Sequence, residues 1–522
     1  MAADTEATAL ELAAWRRLEP IWRRGRVVRY PHQIEAVQEI VGRLEGSALL
    51  ADEVGLGKTV EAGLVLEELM ARGRVARALI LCPAALLLQW QEELRQKFAR
   101  RAQIQPSAPP RQGIVLASLD WAKRDPQRRA YQAVDWDLVV VDEAHHLKSR
   151  RSQNHSFVAG LQRKHLVLIT ATPIQNELAE LYNLVSLVKP DIFGSYMQFY
   201  RRFLLAPRRP RNVDELRQEL SSVMVRRTRH EARIVLPPRR AELLLVELSP
   251  AERALYDAAT DALIRAYRAR RTTQDTILPL VLIQRELCSS SFALAETLRR
   301  MGDSWFGDAA SDLLRRAEAI DSNQKAEAAA ALLCGMKEPA LVFTEYRATQ
   351  EYLGRKLTRA GLRVQYLHGG QNRRERQAQI ESFGAHGGAL VATETGGQGL
   401  NLQMASVVVN YDLPWNPMRV EQRIGRAHRL GQTREVRILN LCARDTVEEH
   451  VLRLLHEKID MFQRVIGDLD VIIRHLEHER PLEAQLFELF LTRDRSEIDR
   501  RLDEIALRVR PTAAQESLPP TL

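Results

Sequence analysis

Cysteine is scarce in this chain: four residues among 522, Cys82, Cys288, Cys334 and Cys442, stand far apart and never form a C-x-x-C pair. That spacing offers neither a zinc-ligand pair nor a disulfide framework, so a reducing cytosol is the expected compartment. Aromatic residues make up only 6% of the chain, and no segment interleaves them as a single-strand stacking platform would. Long apolar runs are missing as well; none approaches the roughly 20 residues that cross a bilayer, so no membrane partner is expected. The N-terminal MAADTEATALELAAWRRLEP has acidic residues where a signal peptide carries basic ones, and no continuous apolar stretch follows, so export is not expected either. No repeat of solenoid length occurs.

What is present is an ordinary globular composition, 45% hydrophobic and 27% charged. The chain is too long for one core, and a domain size of roughly 100 to 200 residues predicts about three units. A net charge of +9 is compatible with a polyanionic partner, because Lys and Arg gain affinity by releasing counterions from phosphates, but composition alone does not establish one.

From residue 47 to about 190, short β-rich apolar runs alternate with amphipathic helical stretches, the pattern of a parallel sheet covered by helices. The expected strands are SALLA (47–51), ARALILC (76–82), GIVLASL (113–119), DLVVVDEA (137–144) and HLVLITA (165–171). A second series follows: PALVFTE (339–345), RVQYLHG (363–369), GALVATE (388–394), SVVVNYD (406–412) and VRILNLCA (436–443). The fold class is therefore α/β with two parallel-sheet lobes. Between them, residues 237–325 read as helices after one strand signal, ELLLVEL (242–248), and are expected to protrude from or bridge the lobes. The basic stretches APRRPRNVD (206–214) and RRTRHEARIVLPPRR (226–240) read first as solvated charge. Beyond residue 446 the chain reads as helical to about 507, followed by a tail of disorder-like composition.

SALLA runs into DEVGLGKTVEA and then a helical pattern. Gly55 and Gly57 sit where the backbone must turn tightly and aim N–H groups at phosphate; Lys58 would neutralise phosphate charge and Thr59 would offer its hydroxyl to Mg²⁺. The strict phosphate-loop pattern calls for glycine at position 52, where this chain has Asp52. LVVVDEAHH strengthens the reading, because four apolar residues end in Asp142 and Glu143 at the carboxyl edge of the same sheet. Asp142 is positioned to hold the Mg²⁺ shell and Glu143 to orient the attacking water, a division of labour that suits phosphoryl transfer. His145 and His146 are neighbours on one short turn and point apart, which favours coupling or packing over metal ligation.

With GKT and DEAH in one lobe, the chain resembles the superfamily-two helicases, and more closely the Swi/Snf-related ATPases. The resembling blocks are YPHQIEAV (30–37), DEVGLGKTVEAG (52–63), LILCPAALLLQW (79–90), VDEAHHLKS (141–149), LITATPIQN (168–176), LVFTEY (341–346), ATETGGQGLNLQ (392–403) and DLPWNPMRVEQRIGRAHRLGQ (412–432), in family order. The resemblance implies two RecA-like lobes with a helical insertion and a helical C-terminal extension: residues 1–24 a helical lead, 25–236 the ATP-binding lobe, 237–325 the protrusion or bridge, 326–459 the second lobe and 460–522 the extension and tail. It implies ATP and Mg²⁺ as cofactors. Gln33 resembles the adenine-reading glutamine; Asp52, Gly399 and Gln422 join Gly55, Gly57, Lys58 and Thr59 as nucleotide-binding; Arg426 and Arg429 resemble the paired arginine fingers, with Arg423 read as a phosphate or DNA contact.

The same resemblance assigns DNA contacts to Pro83, Gln89, Ser118, Thr393, Gly396, Gly397 and Asn401, and to Thr170–Thr172 a relay between γ-phosphate and DNA. Such loop and strand-end groups bind phosphates without reading bases, which suits a motor that steps over any sequence. Trp90 and Trp415 read as packing residues rather than base-stacking ones. The implied activity is ATP-dependent movement on double-stranded DNA, against the alternatives of a strand-separating helicase and a DNA clamp that does not turn over. DEVGLGKTVEAG and HHLKS look closer to the bacterial RNA-polymerase-associated and similar prokaryotic branches than to chromatin remodellers. Nothing resembles a chromodomain or bromodomain, so a minimal motor is expected, one that takes its targeting from RNA polymerase or from a repair or defence complex.

Overall fold

The computed structural model describes residues 18–19, 21–22, 26–170, 173, 178–206, 209–229, 231–232, 234, 236–269, 274–397, 400–414, 417–449 and 452. The chain forms two compact units, Met1–Val235 and Leu236–Leu522. The readings of residues 1–17 and 453–522 lie outside the described residues.

In the first unit the strands are β1 (Ala48–Leu50), β2 (Arg77–Cys82), β3 (Ala102–Ile104), β4 (Gly113–Ser118), β5 (Trp136–Val141), β6 (Arg163–Ile169), the short antiparallel pair β7 (Leu204–Ala206) and β8 (Arg209–Pro210), and β9 (Met224–Val225). All but β7 and β8 join one parallel sheet in the order β3-β4-β2-β5-β6-β1-β9. Its central strands carry apolar side chains on both faces because helices cover both, so β1, β2, β4 and β5 read as nearly unbroken hydrophobic runs. Leu79, Leu81, Val139 and Val141 pack with Trp136, Phe157 and Phe199 in its core. The five expected strands of this unit are all present; β3 and β9 in the sheet and the β7–β8 pair are additional.

The second unit contributes β10 (Arg239–Val246), β11 (Ala340–Thr344), β12 (Val364–Leu367), β13 (Ala389–Thr393), β14 (Val407–Asn410) and β15 (Val436–Ala443), all parallel in the order β10-β15-β14-β11-β13-β12. The strand signal at the start of the helical region is thus the edge strand of this sheet, in register with β15 from Arg239↔Val436 to Val246↔Ala443. The helices Pro250–Ala269, Gln274–Ser289, Ser291–Phe306, Ala309–Glu318 and Gln324–Cys334 follow it and belong to the same unit.

One carboxyl group among these helices makes the stability of the second unit depend on pH. Glu286 is 5% exposed; Thr297 donates to its Oε1 at 2.9 Å, and its Oε2 has no hydrogen-bond partner among the described residues. Burial pushes it up from 4.5 to about 7, with Thr297 and Arg300 opposing and Glu296 reinforcing. Between those two values the folded state keeps a proton that the unfolded chain releases, so stability falls as pH rises through this window and levels off above it. Glu286→Gln is expected to flatten that slope and to raise Tm at about pH 8 by about 2–4 °C, as measured by melting across pH.

Candidate active site

In a parallel sheet every strand ends at the same edge, and that edge collects the candidate residues of the first unit. The loop after β1 carries residues 51–57, Thr170 follows β6, Asp142 and Glu143 follow β5, Pro83 follows β2 and Ser118 ends β4. These strands are consecutive neighbours in the sheet. Cys82 is in register with Ser118, the Asp142 N–H donates to Leu81 O at 2.8 Å, and the Thr170 N–H donates to Leu50 O at 3.0 Å.

Gly55 and Gly57 adopt φ values of +94° and +93°, which L side chains rarely accept, and Gly57 caps the helix Lys58–Ala71. The chain turns there so that a helix N-terminus faces outward from the sheet edge, an arrangement that attracts anions. Lys58 Nζ curls back over the loop and donates to Asp52 O at 2.6 Å and Glu53 O at 3.1 Å. Burial lowers the Lys58 pKa, while the carboxylates of Glu61, Asp52, Glu143 and Asp142 oppose that shift. Phosphate oxygens would compete for the same ammonium protons. Gln33 is 2% exposed and donates to Leu56 O at 3.0 Å, and His32 Nε2 lies 3.0 Å from the same oxygen, so the helix Pro31–Gln38 is packed onto the loop.

Asp52, in the loop, and Glu61, in the first turn of the helix that follows it, are fully buried. Burial first, and the Asp52 carboxylate second, push Glu61 well above the usual carboxylate range, against the opposing pull of Lys58 and Arg227. Asp52 is also raised by burial, against the opposing pull of Arg227 and Lys58. Its carboxylate accepts the Arg227 N–H at 2.8 Å, so its side chain is engaged in holding the loop.

Asp142 is held at both oxygens: Trp90 Nε1 donates to Oδ2 at 2.9 Å and the Glu143 N–H to Oδ1 at 2.8 Å. Burial, and then the neighbouring Glu143 carboxylate, push its pKa up to about 6. Trp90 is 2% exposed, in agreement with its packing role, but its indole N–H also aims a candidate metal-binding carboxylate from 52 positions earlier in the chain. Glu143 has φ 51° and ψ 48°, a left-handed backbone that costs a non-glycine residue about 1–3 kcal/mol. The strain turns the chain sharply out of β5. His145 Nδ1 lies 3.1 Å from Glu143 Oε2, and the rings of His145 and His146, expected to point apart, lie against each other with centroids 4.3 Å apart. A hard divalent cation held chiefly by phosphate and water needs only one or two protein oxygens, and the Thr59 hydroxyl with the Asp142 carboxylate is a donor set of that kind.

The remaining candidates of this unit are less open. Gln89 donates to Glu93 at 3.1 Å. Ser118 is 4% exposed, caps the Trp121 N–H at 3.3 Å and accepts from Gln105 at 3.0 Å. Thr172 lies outside the described residues. Two arginines of RRTRHEAR are not solvated charge: Arg227 and Arg229 are 15% and 14% exposed and bond to residues of the phosphate loop, whereas Arg226 is exposed. Nothing in the local sequence separates such arginines from exposed ones.

In the second unit, the helix Pro417–Ala427 carries Gln422, Arg423 and Arg426, with Arg429 just beyond its end. Gln422, Arg426 and Arg429 are partly buried. Arg423 corrects the reading of a phosphate or DNA contact: it is 2% exposed, because its guanidinium donates to Asp412 O at 2.6 Å and to Glu394 Oε2 at 3.0 Å and sits over the Phe343 ring at 5.3 Å. It ties this helix to the ends of β11, β13 and β14. Gln432 is likewise structural, donating to Gln403 O, Ala405 O and Ala427 O at 3.0–3.2 Å. Thr393 ends β13 and is followed by the short helix Glu394–Gly397, which seats Gly396 so tightly that a Cβ would overlap the Leu367 carbonyl. A Cβ on Gly397 would come within 2.9 Å of Phe343. Asn401 is partly buried. Gly399 and Trp415 lie outside the described residues.

Residues 32–293 match the model of the SNF2-related domain, and residues 324–431 match that of the helicase conserved C-terminal domain. The chain is 41% identical over 456 residues to the uncharacterized ATP-dependent helicase YqhH of Bacillus subtilis (strain 168), covering 86% of this chain and 81% of that protein. It is 28% identical over 478 residues to chromodomain-helicase-DNA-binding protein 1-like of Danio rerio, of which it spans only 45%. Among solved structures, the Sulfolobus solfataricus SWI2/SNF2 ATPase core in complex with dsDNA is similar at 24% identity and a TM-score of 0.41, covering 88% of this chain and 97% of that one. Among the described residues, no helix is long and apolar enough to cross a membrane.

Proposed function

Because this chain belongs to the SNF2-related family, and is with it a nucleic-acid-dependent ATPase, we propose that it is a motor that uses ATP hydrolysis to move along double-stranded DNA and to displace or remodel bound proteins. The observation that carries this reading is the shared sheet edge. The phosphate loop, the Asp142–Glu143 pair, and the Pro83 and Ser118 strand ends stand on adjoining strands, so a change at the phosphates is within a few residues of groups that can grip a nucleic-acid backbone. Residues 25–236 are the ATP-binding lobe in this reading, 326–459 the second lobe, 237–325 the helical insertion and 460–522 an extension.

Lys58 exchanges the Asp52 and Glu53 carbonyls for phosphate oxygens, and Gln33 serves the adenine. Thr59 and Asp142 would hold Mg²⁺, which when bound would neutralise charge on the phosphates. Glu143 orients the attacking water, while Arg426 and Arg429 stabilise the charge that develops on the phosphoryl group. Thr393, Gly396, Gly397 and Asn401 join Pro83, Gln89 and Ser118 as backbone contacts, which carry no sequence information. The motor works on DNA in a bacterial cytoplasm, directed by a protein partner of the transcription, repair or defence machinery.

The test is ATP hydrolysis by the full chain alone, with linear duplex DNA, with single-stranded DNA and with RNA. Duplex DNA is expected to stimulate most. Stronger stimulation by single strands or RNA would contradict duplex translocation and favour a strand-separating helicase.

A further inference from the structure

The chain that follows the helix Val213–Ser221 returns alongside the phosphate loop. β9 is parallel to β1, with Leu49↔Met224 and Leu50↔Val225 in register. The ladder continues past the end of both strands: the N–H groups of Leu49, Ala51 and Glu53 donate in turn to Val223 O at 2.9 Å, Val225 O at 2.7 Å and Arg227 O at 3.0 Å. Bonds run the other way too. The Arg227 N–H donates to Asp52 Oδ1 at 2.8 Å and the Arg229 N–H to Glu53 Oε2 at 2.8 Å.

The two side chains complete a strap. Arg229 donates through Nε and Nη2 to Val54 O at 3.1 and 2.8 Å and lies 3.3 Å from Glu53 Oε1. Arg227 Nη2 donates to Glu39 Oε2 at 3.0 Å, and its Nη1 is 3.7 Å from Asp52 Oδ2. Asp52 and Glu53, whose carbonyls hold Lys58, are therefore the residues bridged by the strap, and Val54, whose carbonyl Arg229 caps, immediately precedes the turn at Gly55.

We propose that Arg227 and Arg229 are positioning residues for ATP binding, holding the phosphate loop in the shape that receives the nucleotide. A loop rich in glycine pays a large conformational entropy when it is ordered around a ligand, and a strap that orders it beforehand removes that cost from binding. The proposal rests on the reading of residues 52–59 as the phosphate loop.

The experiment uses the full chain, a fluorescent ADP analogue, hydrolysis at varied ATP, and melting without nucleotide. Arg229→Ala is expected to raise both KM for ATP and Kd for the ADP analogue about ten-fold, the scale of ordering one or two residues, while kcat at saturating ATP stays within about two-fold. Nucleotide-free melting stays close to that of the parent, and Arg229→Lys, which keeps one donor for Val54 O, recovers part of the affinity. Unchanged KM and Kd, or a fall in kcat at constant KM, would overturn the proposal. If Arg229→Ala melts early, the same split is read from Arg229→Lys, where an unchanged KM again overturns it. Lys58→Ala separates the two readings: a Lys58→Ala chain that binds and hydrolyses like the parent overturns the phosphate loop itself, whereas an inactive one beside an unaffected Arg229→Ala overturns only the strap.

Discussion

Glu143→Gln is expected to lower kcat for ATP hydrolysis by about 10²–10⁴-fold while leaving nucleotide affinity within about three-fold of the parent. The substitution keeps the size of the side chain and removes only its negative charge. Glu143 leaves β5 in a left-handed turn, its own N–H is tied to Asp142 Oδ1, and its carboxylate lies beside His145, so the side chain is aimed from a backbone fixed at both ends. Glutamine can occupy that position but cannot accept a proton from an attacking water. Binding should survive because Lys58, Thr59 and Asp142, the groups proposed to hold the nucleotide and its metal, are untouched. Single-turnover hydrolysis with a parallel binding titration measures both quantities. A loss of less than ten-fold would mean that another group activates the water.

Arg426→Ala and Arg429→Ala should each lower kcat by about 10³-fold or more at saturating ATP, with little change in melting temperature. Arg426→Lys should not restore the rate, because an ammonium lacks the planar fork that meets two phosphate oxygens. Arg423→Ala, three positions before Arg426, provides the contrast. Arg423 is buried, and its partners Glu394 and Asp412 would lose their bonds, so its removal is expected to destabilise the second unit by about 3–5 kcal/mol and to be visible in melting before any assay is run. Equal effects of all three substitutions on stability would mean that Arg426 and Arg429 are also structural and would remove them from the chemistry.

The residues that carry most of the fold are those whose environment is uniform. Strands β2, β4, β5, β11, β13 and β14 are covered on both faces and so appear in sequence as unbroken apolar runs. β3 and β9 are three and two residues long, set among polar neighbours, and leave no such run. β10 alternates between more and less exposed positions, and its strand character is plain in ELLLVEL, but its partner β15 lies almost two hundred residues away, beyond any local pattern.

The same distinction divides the site. Gly55, Gly57, Lys58, Asp142 and Glu143 announce themselves because turn geometry and charge at a strand end restrict the residue type. Trp90 reads as packing, which it is, while its bond to Asp142 depends on two strands being neighbours. Arg227, Arg229 and Arg423 have the composition of solvated arginines, and only the fold decides that their partners are Asp52, Val54, Glu394 and Asp412. Charge is legible in a sequence; the partner that neutralises it is not.

Displacement of a third strand from a triplex on linear duplex DNA tests directed movement more directly than hydrolysis does. The parent chain with ATP should release the third strand, and release should stop without ATP and with Glu143→Gln. Release no faster with ATP than without it, in a preparation whose hydrolysis is stimulated by duplex DNA, would contradict translocation and leave an ATPase that grips DNA without travelling along it.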